Sequence, residues 1–255
     1  MITKTLLACA EAARPVTLNA FRTQLAVENK LADGFDPVTD ADRGAETAIR
    51  AVIAADFPEH GIIGEEWDAK STETPYNWII DPIDGTRAFI SGVPVWGTLV
   101  GLTAGGDAVA GMMAQPFTGE LFYATGGKAF YEGPGGAQPL QTRGTTALAD
   151  ATLCTTTPMI FSADQRKDYD RLEKQVRLPR YGTDCYAYAM LAAGFVDLVV
   201  ETGLHPYDIV ALVPIIEKAG GVITTWDGGP AEKAGNILAA ATRELHAKAL
   251  ELLTR

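Results

Sequence analysis

The sequence predicts a layered α/β protein, and two observations carry that reading. From about residue 151 onward, strand-like and helix-like runs alternate, as they do where sheets are covered by helices. Ahead of this, apolar stretches at 98–104, 108–115 and 120–124 succeed one another with only turn residues between them, a run of antiparallel strands. The glycine- and proline-rich segment 132–139 separates the two patterns and is the candidate boundary. It divides an N-terminal α+β half, 1–139, from a C-terminal α/β half, 140–255.

In order, Leu6, Leu7, Ala10, Leu18, Phe21 and Leu25 recur at helical spacing, with Pro15 expected to bend or split that helix. A second helix spans Asp40–Asp56, with Ala45, Ile49, Val52 and Ile53 facing inward. Short strands follow at Ile62-Ile63, ending in Gly64-Glu65-Glu66, and at Trp78-Ile79-Ile80, ending in Asp81 and Asp84. A short helix over Thr86–Ile90 precedes the three antiparallel strands, and Gly105-Gly106-Asp107 makes a hairpin turn. The second half reads as a strand at 151–155, helices at 163–176 and 184–193, and a strand at 195–200. A single helix at 206–219, strands at 221–225 and 236–240, and a helix over Arg243–Leu253 complete it.

A net charge of −11 argues against nucleic acid or an anionic membrane as partner, since both need a basic face. A phosphorylated substrate stays open if metal ions supply positive charge locally. No apolar run reaches the roughly 18–20 residues of a membrane span. Cys9, Cys154 and Cys185 are odd in number, dispersed and without a CxxC, which points to free thiols in a reducing cytoplasm.

Four acids fall at predicted element ends: Glu65, Asp81, Asp84 and Asp208. Strand ends and helix N-termini are where α/β proteins place ligands. Asp81 and Asp84 flank a proline, and two carboxylates that close either cap a solvated turn or share a cation. Mg²⁺ takes hard oxygen ligands, usually a few carboxylates with water and substrate phosphate. Two such ions can hold the attacking and leaving oxygens of a phosphoryl transfer. Gly85-Thr86 then opens a helix whose free N–H groups face the site, and Thr86 adds a hydroxyl.

The combined string Asp81-Pro82-Ile83-Asp84-Gly85-Thr86 resembles the inositol monophosphatase family of Mg²⁺-dependent phosphomonoesterases. So do Asp36-Pro37-Val38-Thr39 with Asp42, Gly64-Glu65-Glu66, and Tyr207-Asp208 with Ala219-Gly220-Gly221. The resemblance spans nearly the whole chain. It implies a five-layer αβαβα sandwich, often a homodimer, acting on a small phosphorylated substrate. It further implies that Glu65, Asp81 and the carbonyl of Ile83 hold one Mg²⁺, that Asp81, Asp84 and Asp208 hold a second, and that Asp42 supports a third, weaker ion. Glu65 and Thr86 would position and deprotonate the attacking water, and the amides of Gly85 and Thr86 would bind phosphate oxygens. Tyr207 stands where many members carry tryptophan.

Asp184, in Arg180-Tyr181-Gly182-Thr183-Asp184-Cys185, puts an acid at a helix start facing the presumed cleft, and Glu201 is the matching position on the other wall. Gly182, Thr183, Asp184 and Glu201, with Asp84, Gly85, Thr86 and Asp208, are the expected substrate contacts. Capping of its own helix is the plain alternative for Asp184. A substrate carrying an ammonium and an imidazole would gain from two acids, whereas a neutral polyol would not need them. The strings DPIDGTRAFISG, YGTDCYAYAMLAAGFVDLVVE and PYDIVALVPIIEKAGG resemble the histidinol-phosphatase branch of the family, which implies hydrolysis of L-histidinol phosphate. An inositol-1-phosphate or broad-specificity phosphatase is the runner-up, and a non-catalytic metal-binding relative is the reading from another class. Trp67 is a candidate either for the pocket wall or for a loop anchor, and Arg87 for the wall. Asp40-Ala41-Asp42 is not at the end of an apolar strand, as a dehalogenase-type nucleophile would be. His60, His205 and His246 lack zinc spacing.

Overall fold

In the computed structural model, which describes residues 1–24, 27–29 and 37–254, Leu6, Cys9, Ala10 and Ala13 line the buried face of helix α1 (Ile2–Ala20). Pro15 does not split it. The proline is exposed, so the Glu11 carbonyl that loses its donor faces water. Leu25 and Asp36 lie outside the described residues. Two short strands not foreseen in the sequence, β1 (Glu28–Asn29) and β2 (Pro37–Val38), pair antiparallel. Helix α2 (Asp40–Asp56) starts at Thr39, whose side chain accepts from Ala41 N–H while Asp42 reaches back to the Thr39 N–H.

The first sheet comprises β3 (Gly61–Gly64), β4 (Tyr76–Asp84), β5 (Gly97–Ala104), β6 (Asp107–Gln115), β7 (Glu120–Thr125), β8 (Lys128–Gly133) and β9 (Gly136–Pro139), in that spatial order. Its first pair is parallel and the rest antiparallel. Helix α3 (Thr86–Ile90) interrupts it after β4. The segment 132–139 thus belongs to the closing hairpin of this sheet.

The second sheet is built from β10 (Thr152–Thr155), β11 (Leu178–Tyr181), β12 (Leu198–Leu204), β13 (Val222–Thr225) and β14 (Gly235–Ala240), ordered β11-β10-β12-β14-β13. Its helices are α4 (Ala163–Glu173), α5 (Tyr186–Ala192), α6 (Pro206–Ile209), α7 (Leu212–Lys218) and α8 (Arg243–Leu253). Helix α4 ends three residues short of its expected bound, and β11 was not anticipated. The single helix expected over 206–219 is two. Pro214 has no N–H to offer the Val210 carbonyl and its ring crowds that oxygen, so the break falls one turn earlier.

Alternation along the strands sets the layers. Val100, Leu102 and Met112 face α1 and α2, while Leu99, Met113 and Phe122 face the opposite way, onto α5 and α7. In the second sheet Val199, Ile237 and Ala239 meet that same α5–α7 layer, and Leu198, Val200 and Leu238 pack under α4 and α8. The result is helices, sheet, helices, sheet, helices, the αβαβα order expected. No helix among the described residues is long and apolar enough to cross a membrane.

One close approach ties α6 and α7 to the first sheet. Gly101 and Gly111 are cross-strand partners on β5 and β6. A Cβ on Gly111 would run into the Ala211 carbonyl, and one on Gly101 would come within 2.9 Å of the Ala211 nitrogen. Only this pair of glycines lets the α6–α7 corner settle on the sheet, and α6 carries Asp208.

Candidate active site

The carboxylates meet where β4 loses its regular ladder. Asp81 pairs with Leu99 and Asp84 with Gly97, with a register shift between them. Pro82 has no N–H for the ladder, and its carbonyl instead accepts from the Thr98 hydroxyl at 2.8 Å. Asp81 and Asp84 therefore lie inside the irregular end of β4 rather than beyond it. The Asp81 carboxylate accepts from Ile83 N–H at 3.0 Å. Gly85 follows with φ 80° and caps α3, whose Ala88 and Phe89 are fixed in a cluster with Phe21, Ala41, Ile83 and Trp96.

Asp208 arrives from the other half. In the first turn of α6 its carboxylate accepts from His205 N–H at 2.6 Å, so it both caps the helix and faces the acids of β4. Oxygens of Asp81, Asp84 and Asp208 lie within 4.8 Å of one another. These three, with Glu65, Ile83, Gly85, Thr86, Arg87, Thr156, Asp184, Cys185, Tyr188, Glu201 and Leu204, line one cavity of about 260 Å³.

The electrostatics follow from this crowding. Burial, then the charges of Glu65, Asp84 and Asp208, push Asp81 well above the carboxylate range. Burial, with Asp208 and Asp184, does the same to Asp84. Burial lifts Asp208 to about 6 against the hydrogen bond from His205. Buried and half-buried acid oxygens at this spacing are the hard donor set that Mg²⁺ takes, and a cation there would relieve the repulsion.

The opposite wall carries the second acidic pair. Asp184 sits one residue ahead of the α5 N-cap with φ 42°, and no side chain caps that helix. Its carboxylate accepts instead from the Thr156 hydroxyl at 3.4 Å, while Thr156 N–H donates to Glu201 at 2.6 Å. The left-handed turn at Asp184 aims the Cys185 N–H at Asp84, at 2.9 Å. Burial raises Asp184, opposed by Thr156 and Arg87, and burial lifts Glu201 to about 8. Glu201 lies within β12 rather than after a strand.

The cavity wall does not include every residue expected at the site. Gly182 and Thr183 lie beside it, with Gly182 N–H turned to the Thr156 carbonyl at 2.8 Å. Asp42 is buried in the cap of α2; burial lifts it to about 6, with Thr39 opposing and Glu66 and Glu65 adding. Trp67 anchors its loop by donating to the Arg43 carbonyl at 3.2 Å, whereas Arg87 does line the cavity.

Three contributors escaped the sequence reading. Glu46, fully buried on α2, accepts from Glu66 N–H at 2.8 Å and pairs with Arg50 at 2.7 Å, and Arg50 also reaches the Trp67 carbonyl. This clamp holds the Glu65 loop. Its signal was an acid inside the inward stripe of α2, beside Ala45 and Ile49. Thr156 and Tyr188 are the others. Tyr188 is 3% exposed, its hydroxyl has no partner among the described residues, and burial, then Glu201, Asp84 and Asp208, raise its pKa.

A profile of the inositol monophosphatase family matches residues 1–255. The chain belongs to the inositol monophosphatase family. Among curated relatives, the "Bifunctional phosphatase IMPL2, chloroplastic" of Arabidopsis thaliana is 41% identical, over 96% of this chain and 73% of that one. The "Histidinol-phosphatase" of Chlorobaculum parvum is 37% identical over 86% of this chain and 83% of that one. Among solved structures, an inositol monophosphatase from Zymomonas mobilis superposes with a TM-score of 0.87 at 36% identity, covering 99% and 97% of the two chains. This member of the inositol monophosphatase family is a phosphatase of that class.

The glycine pair gives a first expected result. Gly111→Ala should cost about 1–3 kcal/mol through overpacking and, by displacing α6, raise the Mg²⁺ concentration needed for half-maximal phosphatase activity. Melting and a Mg²⁺ titration measure both. An unshifted titration would show that the close approach does not position Asp208.

Proposed function

We propose that this phosphatase hydrolyses L-histidinol phosphate to L-histidinol and phosphate. The observation that carries the reading is the pair Asp184 and Glu201, both bound to Thr156, in the same cavity as Asp81, Asp84 and Asp208. A monoester whose phosphate sits among the β4 acids directs its organic end toward that wall. There an ammonium group meets acidic oxygens with which it can make charge-assisted hydrogen bonds. The relatives named as histidinol-phosphatases support the same substrate.

Glu65, Asp81, the Ile83 carbonyl, Asp84 and Asp208 are the groups that would hold Mg²⁺, two or three ions in all. When bound, the ions supply charge for the phosphate oxygens and acidify water. Glu65 accepts the proton of the attacking water, and the Thr86 hydroxyl, now donating to the Ile83 carbonyl at 3.1 Å, orients it. The Gly85 and Thr86 amides bind phosphate oxygens, and Asp42 supports the network from beneath.

The second reading, inositol 1-phosphate, is favoured by the resemblance to the Zymomonas mobilis structure. Comparing kcat/KM for the two esters decides between them, and a preference for the inositol ester overturns the proposal. Asp184→Ala is expected to raise KM for histidinol phosphate by about 10–100-fold, the scale of one charge-assisted hydrogen bond, and to spare the inositol ester. Equal losses on both esters would remove Asp184 from the ammonium site.

A further inference from the structure

Three hydroxyl-bearing side chains line the cavity, and two of them are engaged within the protein. Thr86 donates to the Ile83 carbonyl and Thr156 to Asp184. The third, on Tyr188, is buried and has no hydrogen-bond partner among the described residues. A buried hydroxyl left unpaired is costly to the fold, and a phenylalanine would fill the same volume in the α5–α7 core without that cost. Tyr188 lies in the first turn of α5, its N–H on the Cys185 carbonyl, and the left-handed Asp184 just precedes that helix. Tyr188, Asp184 and Glu201 line the same cavity, so all three border one ligand space.

We propose that the Tyr188 hydroxyl is a specificity contact, pairing with an N–H or O–H group on the organic part of the phosphomonoester. The contact rests on the phosphatase reading above but not on the identity of the alcohol. A phenol both donates and accepts, whereas an ionised Asp184 only accepts. Tyr188 thus adds to the acidic wall a neutral group able to serve an amine, an imidazole nitrogen or a hydroxyl. Its ring remains in the core with Leu191, Val199 and Ile209, and this fixes the hydroxyl without any mobile loop.

The test is Tyr188→Phe in the Mg²⁺-loaded enzyme, with kcat/KM measured on histidinol phosphate and on phenyl phosphate, whose organic part offers no N–H or O–H. The expected result is a loss of about tenfold on histidinol phosphate, about 1.4 kcal/mol, with phenyl phosphate within about twofold of wild type. The melting temperature of the free variant should be equal to or above that of the wild type. Unchanged activity on both esters, or a parallel fall on both, overturns the contact. So does a clear drop in melting temperature, which would mark the hydroxyl as structural. If the wild type prefers inositol 1-phosphate, the histidinol proposal fails alone, and the ratio to phenyl phosphate is read on the inositol ester with the same criteria.

Discussion

Asp81→Asn is expected to lower the Mg²⁺-dependent rate by about 10³-fold or more, the scale of losing a preorganised electrostatic element of an active site. Asp81 is 1% exposed, shares its donor cluster with Asp84 and Asp208, and is the acid on which the charges of Glu65, Asp84 and Asp208 converge. An amide keeps the shape and one oxygen but withdraws a negative charge from the centre of the set. The same change should leave the metal-free protein no less stable than the wild type above neutral pH, because it removes a source of mutual repulsion. Activity and stability then move in opposite directions, which separates this outcome from simple misfolding. Asp208→Asn should behave alike. Full activity in either variant would dissolve the metal assignment.

The central string was legible because its parts are local: an apolar strand, a proline that ends the ladder, paired acids and a glycine cap within a few residues. Two of the missed strands share a different property. β9 and β11 are the edges of their sheets and carry Pro139 and Pro179. An edge strand needs neither a full hydrogen-bond ladder nor two apolar faces, so its sequence reads as linker. The break between α6 and α7 was hidden for the converse reason. Val210, Leu212, Val213, Ile215 and Ile216 are apolar throughout, and that run masks the effect of Pro214 on the turn before it. The wall residues resist sequence reading because their partners are distant: Thr156 and Glu201 are 45 residues apart, and Asp84 and Cys185 are 101 apart. Asp184 was foreseen as an acid at a helix start. Only the fold distinguishes a cap from a wall, and it gives the carboxylate to Thr156 rather than to an α5 amide.

In the metal-free protein, melting temperature should fall as pH rises from about 4 to about 8, and saturating Mg²⁺ should abolish or reverse the fall. These buried and half-buried acids all shift upward: Asp42 and Asp208 to about 6, Glu201 to about 8, and Asp81 and Asp84 well above their ordinary value. A carboxyl group whose pKa is raised by folding binds its proton more tightly in the folded state. Its contribution to stability is therefore complete below the unfolded value, near 4, and is lost as pH climbs through the folded value. Ordinary salt-bridged carboxylates have the opposite sign and lose stability in acid, so the direction of the slope is diagnostic. A divalent cation reverses the balance because it binds the ionised form of the native state alone. At 100 times its Kd one site contributes about 2.7 kcal/mol, or about 5–10 °C for a chain of this length, and a second ion adds to it. Melting curves across that pH range, in chelator and in a Mg²⁺ series, test the coupling. A metal-free melting temperature that rises with pH, or one that Mg²⁺ leaves unmoved, would show that the repulsion among Asp81, Asp84 and Asp208 is not what draws the metal to this site.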